Sequence, residues 1–219
     1  MKVSIVIPTL NEEANLPHVL KAIPDNIDEV VIVDKHSKDK TVEIARNYKA
    51  KVLYDDGGKG SALRKGMLES KGDIIITMDA DCSHRINELT LFIDAIKSGY
   101  DLVMGSRFIP GGGTEDMTWV RRFGNKRFVM LVNLLWRTNY SDLCYGYRAF
   151  RKEIIPKLNL ESEGFDIETE ISIRAAKINA KVIEIPSFEK PRLHGTGNLR
   201  TFPDGWIILK RIIRELSRK

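Results

Sequence analysis

Short apolar runs alternate with longer amphipathic ones along this chain. Lys2–Ile7, Glu29–Val33, Lys51–Tyr54, Asp73–Met78 and Leu102–Gly105 are short and mostly rich in β-branched residues. That is the pattern of strands buried on both faces of a parallel sheet. Between them, helical apolar spacing predicts helices over Glu12–Ala22, Lys40–Tyr48, Gly60–Ser70 and Ile86–Ser98, with Asn11 able to cap the first. Strands that alternate with helices of this length imply βαβ units, hence an α/β fold with a mostly parallel central sheet flanked by helices.

The second half of the chain is less regular. Phe108–Thr118, with Gly111, Gly112 and Gly113, reads as a mobile loop, and a helix is predicted over Trp119–Trp136. Val182–Ile185 predicts a late strand, followed by a loop over Pro186–Thr201. The last segment places Leu209, Ile212, Ile213 and Leu216 on one helical face, with Lys210, Arg211, Arg214 and Arg218 mostly opposite. These features divide the chain into a principal domain, residues 1–198, and a basic amphipathic helix, residues 199–219, that extends it.

Length and composition narrow the class. At 219 residues the chain fits one large domain, long enough to fold without disulfides or a structural metal. Cys82 and Cys144 show no metal-ligand or CxxC spacing and read as reduced thiols of a cytosolic protein. The apolar N-terminal stretch is too short for a signal peptide, and Phe128–Trp136 is too short to span a bilayer. The expected location is therefore cytoplasmic, with any membrane contact peripheral. A net charge of +5 favours anionic partners, and five basic residues between Trp206 and Lys219 face only Glu215 in opposition. No RNA-binding signature or helix-turn-helix pattern accompanies them, so nucleic acid is not the expected partner.

Parallel sheets bind ligands at the carboxyl ends of their strands, which directs attention to the residues after Ile7, Val33, Met78 and Gly105. Met78 is followed by Asp79-Ala80-Asp81. Two carboxylates so spaced can turn toward one hard divalent cation, Mg²⁺ or Mn²⁺, and through it toward a diphosphate. With fifteen aspartates, chance alone supplies roughly one such pair, so position rather than spacing gives it weight. Ile7-Pro8-Thr9-Leu10-Asn11-Glu12-Glu13 likewise puts polar residues after the first strand, and Asp34 ends the second. No G-x-G-x-x-G follows the first strand, which argues against a dinucleotide-dependent dehydrogenase.

IVIPTLNEE, VIVDKHSKDKT, GGKGSALRKGM, GDIIITMDAD, GSRFIPGG, DLCYGYRAF and RLHGTGNL occur here in the order seen in family 2 glycosyltransferases. The chain resembles most the branch of polyprenyl- and dolichyl-phosphate mannose and glucose synthases, over Lys2 to about Arg214. The resemblance implies a GT-A fold, a requirement for Mg²⁺ or Mn²⁺, a GDP- or UDP-sugar as donor, and inverting transfer to a lipid phosphate. It assigns Pro8, Thr9, Glu12, Asp34, Lys59, Gly60 and Asp79 to the nucleotide sugar, and Asp79 and Asp81 to the metal. Arg107, Arg121, Asn125 and Arg192 match phosphate-binding positions, with Asp81, Arg107, Arg121 and Glu168 carrying catalysis. Asp142, Asp166, Glu168 and Glu170 would line the acceptor side, and Glu168 would serve as base if the acceptor were a hydroxyl. The chain departs from the family pattern at Lys35 and Lys40, where Asp and Gly are usual, at Ser83, where Gln is common, and at Asn125, where Ser is usual. Two other readings are a soluble transferase acting on a small anionic or saccharide acceptor, and an inactive nucleotide-sugar-binding module.

Overall fold

The apolar runs form strands whose side chains alternate between two cores. Ile5, Ile7, Ile32, Ile74 and Ile76 enter one core, and Val6, Val31, Val33 and Ile75 enter the other, all fully buried. The computed structural model describes residues 1–218; Lys219, the last residue of the predicted C-terminal segment, lies outside the described residues. In chain order the elements are β1 (Val3–Thr9), α1 (Leu16–Ala22), β2 (Glu29–Asp34), α2 (Thr41–Asn47), β3 (Lys51–Tyr54), α3 (Lys59–Glu69), β4 (Ile74–Thr77) and α4 (Leu89–Lys97). There follow β5 (Leu102–Ser106), β6 (Gly113–Thr114), α5 (Trp119–Trp136), β7 (Arg148–Arg151), α6 (Ile155–Leu158), α7 (Ile167–Lys177), β8 (Val182–Pro186), β9 (Phe188–Glu189) and α8 (Thr201–Leu216).

Seven strands form the main sheet in the order β3-β2-β1-β4-β7-β5-β8. Only β7 runs antiparallel, paired on one side with β4 and on the other with β5. Helices cover both faces. α1 and α4 pack on the core that holds Ile5 and Ile7, while α3, α5, α7 and α8 contribute to the core that holds Val6 and Val33. β6 and β9 form a separate two-stranded ribbon.

Three expectations are corrected, and one helix was not foreseen. The first helix begins at Leu16, not Glu12, and Asn11 does not cap it: Asn11 adopts φ 55° and its side-chain oxygen accepts from the Lys38 amide. The stretch 108–118 is not wholly loop, since Gly113–Thr114 pairs in parallel with Phe188–Glu189. The acidic stretch around Glu168 and Glu170 is the start of helix α7, buried along nearly its whole length. On α8 the inward face carries Asp204, Ile208, Arg211, Ile212 and Glu215, whereas Ile213 and Leu216 point outward. Arg211 turns inward because Asp166 and Glu170 meet its guanidinium at 2.8 and 3.2 Å.

Candidate active site

The carboxyl ends of β1, β2 and β4, the start of α3 and the facing sides of α5 and α8 enclose one cleft of about 700 Å³. β4 delivers the central carboxylates. Past Thr77 the chain leaves the sheet, and both Asp79 and Asp81 line the cleft floor. A buried histidine fixes this turn: His84 Nδ1 accepts from the Asp79 amide at 3.2 Å, and its ring stacks on Tyr147 at 4.7 Å. Burial pushes the imidazole below its ordinary pKa, so it stands neutral as a packing post rather than a base.

Each carboxylate has its own cation. Asp79 Oδ1 lies 2.8 Å from Lys59 Nζ, which also lies 3.0 Å from Glu168 Oε1. Burial alone would raise the Asp79 pKa, but Lys59, by charge and hydrogen bond, outweighs it with Arg192 helping, and the group is held below the usual carboxylate range. Lys59 is likewise held charged by Asp79 and Glu168 against the opposing effect of burial. Asp81 Oδ1 accepts from the Ser83 amide at 3.0 Å, and Oδ2 sits 3.2 Å from Arg192 Nη2. The segment carrying Arg192 is strapped down over this turn, because the Leu193 amide donates to the Asp81 carbonyl and the Lys190 amide to the Ser83 carbonyl.

One end of the cleft is formed by Pro8, Thr9, Leu10, Val33, Lys35, Gly57 and Gly58, with Glu12 alongside. Burial raises the Glu12 pKa against the opposing bond from Asn15, and Asp81 adds to the rise. The opposite end is apolar, with Met117, Val120, Phe123 and Phe128 facing Phe202, Trp206 and Leu209. Between the two ends Arg121 ties α5 to the start of α8, donating to the Leu199 carbonyl at 2.7 Å and to Thr201 Oγ1 at 3.2 Å. Asn125 also lines this stretch; its Oδ1 accepts from the Leu143 amide, while its buried Nδ2 has no hydrogen-bond partner.

The sequence-based site residues thus fall into two groups. Pro8, Thr9, Glu12, Lys59, Asp79, Asp81, Arg107, Arg121, Asn125, Glu168 and Arg192 all line the cleft. Asp34 and Gly60 do not. Asp34 is fully buried, and its carboxylate accepts from Thr9 Oγ1, Ser37 Oγ and the Ser37 amide, so it organises the strand ends rather than meeting a ribose. Gly60 packs on the 162–164 backbone, where a Cβ would stand 2.5 Å from the Ser162 carbonyl oxygen. Arg107 reaches the cleft wall, but its guanidinium is bound by Asp142 at 2.7 and 2.9 Å and by both Glu189 oxygens at 3.1 Å. That arrangement makes it a brace between β5 and β9 instead of an open phosphate clamp. Asp142 is consumed by this brace, and Asp166 and Glu170 are consumed by Arg211, so none of the three faces the cleft. Ser83 is buried outside the lining, and His194, a solvent-facing residue, offers its carbonyl to Asn15.

Sequence reasoning missed Arg148. It is 1% exposed and donates to the Tyr145, Glu168 and Leu143 carbonyls and to Ser172 Oγ, with no carboxylate in hydrogen-bond contact. Its signal was present as an arginine inside the apolar run YGYRAF. The aromatic lining from α5 and α8 was legible only as helix composition, because it takes both helices to make a wall.

The donor set also bears on a metal. Among the described residues no cluster of three or more His, Cys, Asp or Glu ligands forms. Asp79 and Asp81 nevertheless present hard carboxylate oxygens to one cleft, which suits Mg²⁺ or Mn²⁺ sharing its remaining positions with phosphate oxygens and water.

The sequence model of the family described as "Glycosyl transferase family 2" matches residues 4–158, most of the sheet and both central carboxylates. The chain belongs to that family. Among curated relatives, it is 34% identical over 212 residues to a dolichol-phosphate mannosyltransferase of Pyrococcus furiosus, covering 91% of this chain and 60% of that protein. It is 30% identical over 198 residues to the polyprenol monophosphomannose synthase of Mycolicibacterium smegmatis, covering 83% of this chain and 75% of that protein. Among solved structures, glucosyl-3-phosphoglycerate synthase from Mycobacterium tuberculosis superposes with a TM-score of 0.78 at 19% identity, covering 98% of this chain and 80% of that one. That likeness establishes the GT-A fold. The same mycobacterial enzyme has been crystallised with Mn²⁺ and UDP-glucose.

Proposed function

We propose that this chain is a glycosyltransferase that moves a sugar from a nucleoside diphosphate to a polyprenyl phosphate at the cytoplasmic surface of a membrane, with inversion at the anomeric carbon. The observation that carries this reading is the polarity of the cleft. Its floor holds Asp79 and Asp81, and its far end is an aromatic and aliphatic wall from α5 and α8. A lipid phosphate has the same two parts, an anionic head and an apolar tail. The curated relatives' names point the same way, and the Mn²⁺ bound by the mycobacterial structural relative supports a divalent cation beside the donor diphosphate.

The residues take roles that follow from their surroundings. Asp79 and Asp81 would hold the divalent cation, which when bound supplies charge to stabilise the departing nucleoside diphosphate. Pro8, Thr9, Leu10 and Lys35 form the nucleoside end, with Glu12 beside them. Lys59 holds Asp79 ionised and pins both the Asp79 and the Glu168 side chains. Arg121, Arg192 and the unpartnered Nδ2 of Asn125 are the available hydrogen-bond donors for the acceptor phosphate. A phosphate acceptor is already ionised, so attack on the anomeric carbon requires no strong base. Glu168, pinned by Lys59, then serves as a charge-setting residue. One displacement from the face opposite the leaving diphosphate inverts the configuration.

The test is a transfer assay with UDP- and GDP-sugars, with and without Mn²⁺, offered either a polyprenyl phosphate or 3-phosphoglycerate. Metal-dependent formation of a lipid-linked sugar supports the reading. Transfer to phosphoglycerate alone would replace the acceptor, and nucleotide binding without transfer to any acceptor would reduce the chain to a binding module.

A further inference from the structure

We infer that Lys35 reads the base of the bound nucleotide and selects guanine, by donating to its O6 and N7. The inference rests on the preceding reading for the class of ligand, a nucleoside diphosphate sugar, and goes beyond it in naming the base and the residue that chooses it. Lys35 directly follows β2 and lines the nucleoside end of the cleft, where Pro8, Leu10 and Val33 supply apolar surface for the faces of a base. It is exposed at the rim of that end, and its ammonium has no hydrogen-bond or ion-pair partner among the described residues.

The loop that carries Lys35 is pinned on both sides. The Lys35 amide donates to the Thr9 carbonyl at 2.9 Å, which fixes the backbone against the end of β1. Beyond it, the Ser37 amide and Oγ donate to the Asp34 carboxylate at 2.7 and 2.6 Å, and the Lys38 amide donates to Asn11 Oδ1 at 2.9 Å. His36 stacks on Tyr54 with ring centres 5.2 Å apart, and its Nε2 lies 2.9 Å from Asp56 Oδ1. With the backbone set in advance, binding a base orders only the lysine side chain.

The neighbours of Lys35 decide what it can read. The carboxylates around it are already engaged: Asp34 by Thr9 and Ser37, Asp55 by the Gly57 amide and Ser61 Oγ, and Asp56 by His36. Backbone carbonyls at the same strand ends also have partners. That of Thr9 accepts from the Lys35 amide, that of Asp34 from the Asp55 amide, and that of Tyr54 from Lys65 Nζ. Glu12, alongside, accepts from Asn15 Nδ2 at 2.7 Å. This end therefore offers a base one strong hydrogen-bond donor and few open acceptors. An ammonium only donates, so the base that fits turns two adjacent acceptors toward it. Guanine carries O6 and N7 side by side, the pair that lysine contacts when it reads guanine in a duplex. Adenine sets its amino group beside N7, and uracil sets N3–H between its two carbonyls, so each turns a hydrogen-bond donor toward the ammonium. Cytosine has two adjacent acceptors, but its O2 lies next to the glycosidic bond. Guanine O6 is remote from the ribose, as a reader on the rim requires, and water at the open rim satisfies N1–H and the amino group.

The experiment is isothermal titration calorimetry of the full chain with GDP, UDP, CDP and ADP at one saturating Mn²⁺ concentration. GDP should bind about 10-fold more tightly than the other three. Lys35→Met removes the ammonium and leaves the backbone bonds of the loop in place, so it should bring the Kd for GDP to within about threefold of that for UDP. Lys35→Arg keeps a cationic hydrogen-bond donor and should preserve the preference. Melting temperatures of both variants without nucleotide serve as the control for folding. An equal loss for all four nucleotides in Lys35→Met would overturn the proposal, because Lys35 would then act on the diphosphate by charge alone. So would a preference for GDP that survives in Lys35→Met, or a wild-type preference for UDP, CDP or ADP. Failure of every nucleotide to bind in the presence of metal would instead bring down the reading of the chain as a nucleotide-sugar transferase, and the base assignment with it.

Discussion

Arg148 offers the sharpest test of how the site is held. Replacing it with methionine keeps a long side chain but removes four hydrogen bonds from the middle of the domain. Two of the acceptors retain support: the Glu168 carbonyl also receives Ser172 Oγ at 2.9 Å, and Ser172 Oγ has that bond and Met104. The Leu143 and Tyr145 carbonyls keep no other partner among the described residues. Each buried acceptor left unsatisfied costs about 1–3 kcal/mol. Removal of a charge whose pKa burial lowers, and which touches no carboxylate, offsets part of that sum. A net loss of about 3 kcal/mol follows, which for a domain of this size lowers the melting temperature by about 6–12 °C. Differential scanning calorimetry of Arg148→Met measures it directly. Because Arg148 also holds the backbone of Glu168, transfer should fall further than the stability loss explains when assayed well below the melting temperature. A melting shift under about 2 °C would refute the account, since it would mean the two carbonyls find water or the loop relaxes freely.

Three other outcomes follow from the site. Asp81→Asn removes a cleft charge that Arg192 now balances, and turnover should drop more than about 100-fold while cooperative unfolding persists; steady-state rates and a thermal melt at the same Mn²⁺ concentration separate the two. Asp79, with its folded-state pKa depressed, contributes stability that is fully present above its unfolded pKa of about 3.9 and is lost as pH falls through the lower folded value. The melting-temperature gap between wild type and Asp79→Asn should therefore stay constant down to about pH 4 and narrow below it, and a gap independent of pH in that window would contradict the ion pair with Lys59. Gly60→Ala drives a Cβ to within 2.5 Å of the Ser162 carbonyl oxygen and 2.9 Å of that of Gly164, so denaturant unfolding should show a loss of about 1–3 kcal/mol, with weaker nucleotide binding as α3 shifts Lys59.

What the sequence disclosed depended on how local each signal was. The β-branched runs located six strands to within about two residues, because such runs buried on both faces need little tertiary context. The antiparallel β7 escaped notice because Arg148 and Arg151 interrupt its apolar pattern, and Arg148 is tolerated there only through carbonyls supplied by distant segments. α7 escaped because it is covered on nearly all sides, so Thr169, Glu170, Ser172 and Arg174 occupy positions where periodicity leads one to expect aliphatic residues. The false cap at Asn11 has a similar origin. The polar cluster Asn11-Glu12-Glu13 is used to lock the 37–41 loop, with Glu12 and Glu13 amides donating to Thr41 and Asp39. In the site, Asp79 and Asp81 were readable from spacing and strand position. The pairing of Lys59 with Glu168, the saturation of Arg107 and the capture of Asp166 and Glu170 by Arg211 were not, since each joins segments far apart in the chain.

The same ion pairs distinguish the fixed parts of the site from the exchangeable one. Lys59 stands between two carboxylates with its side chain 16% exposed, so moving it would leave Asp79 and Glu168 facing each other without a countercharge. Arg107 is held by Asp142 and Glu189 in the same way. Arg192 differs. It sits on a loop outside any helix or strand, is 25% exposed, and touches Asp81 at 3.2 Å and Asp116 at 3.8 Å. A divalent cation bound at Asp79 and Asp81 would supply the charge that Arg192 now supplies to Asp81, and would release its guanidinium toward phosphate oxygens in the same cleft. Of the basic groups beside the two aspartates, Arg192 is therefore the one whose partner can change on ligand binding without stranding a buried charge.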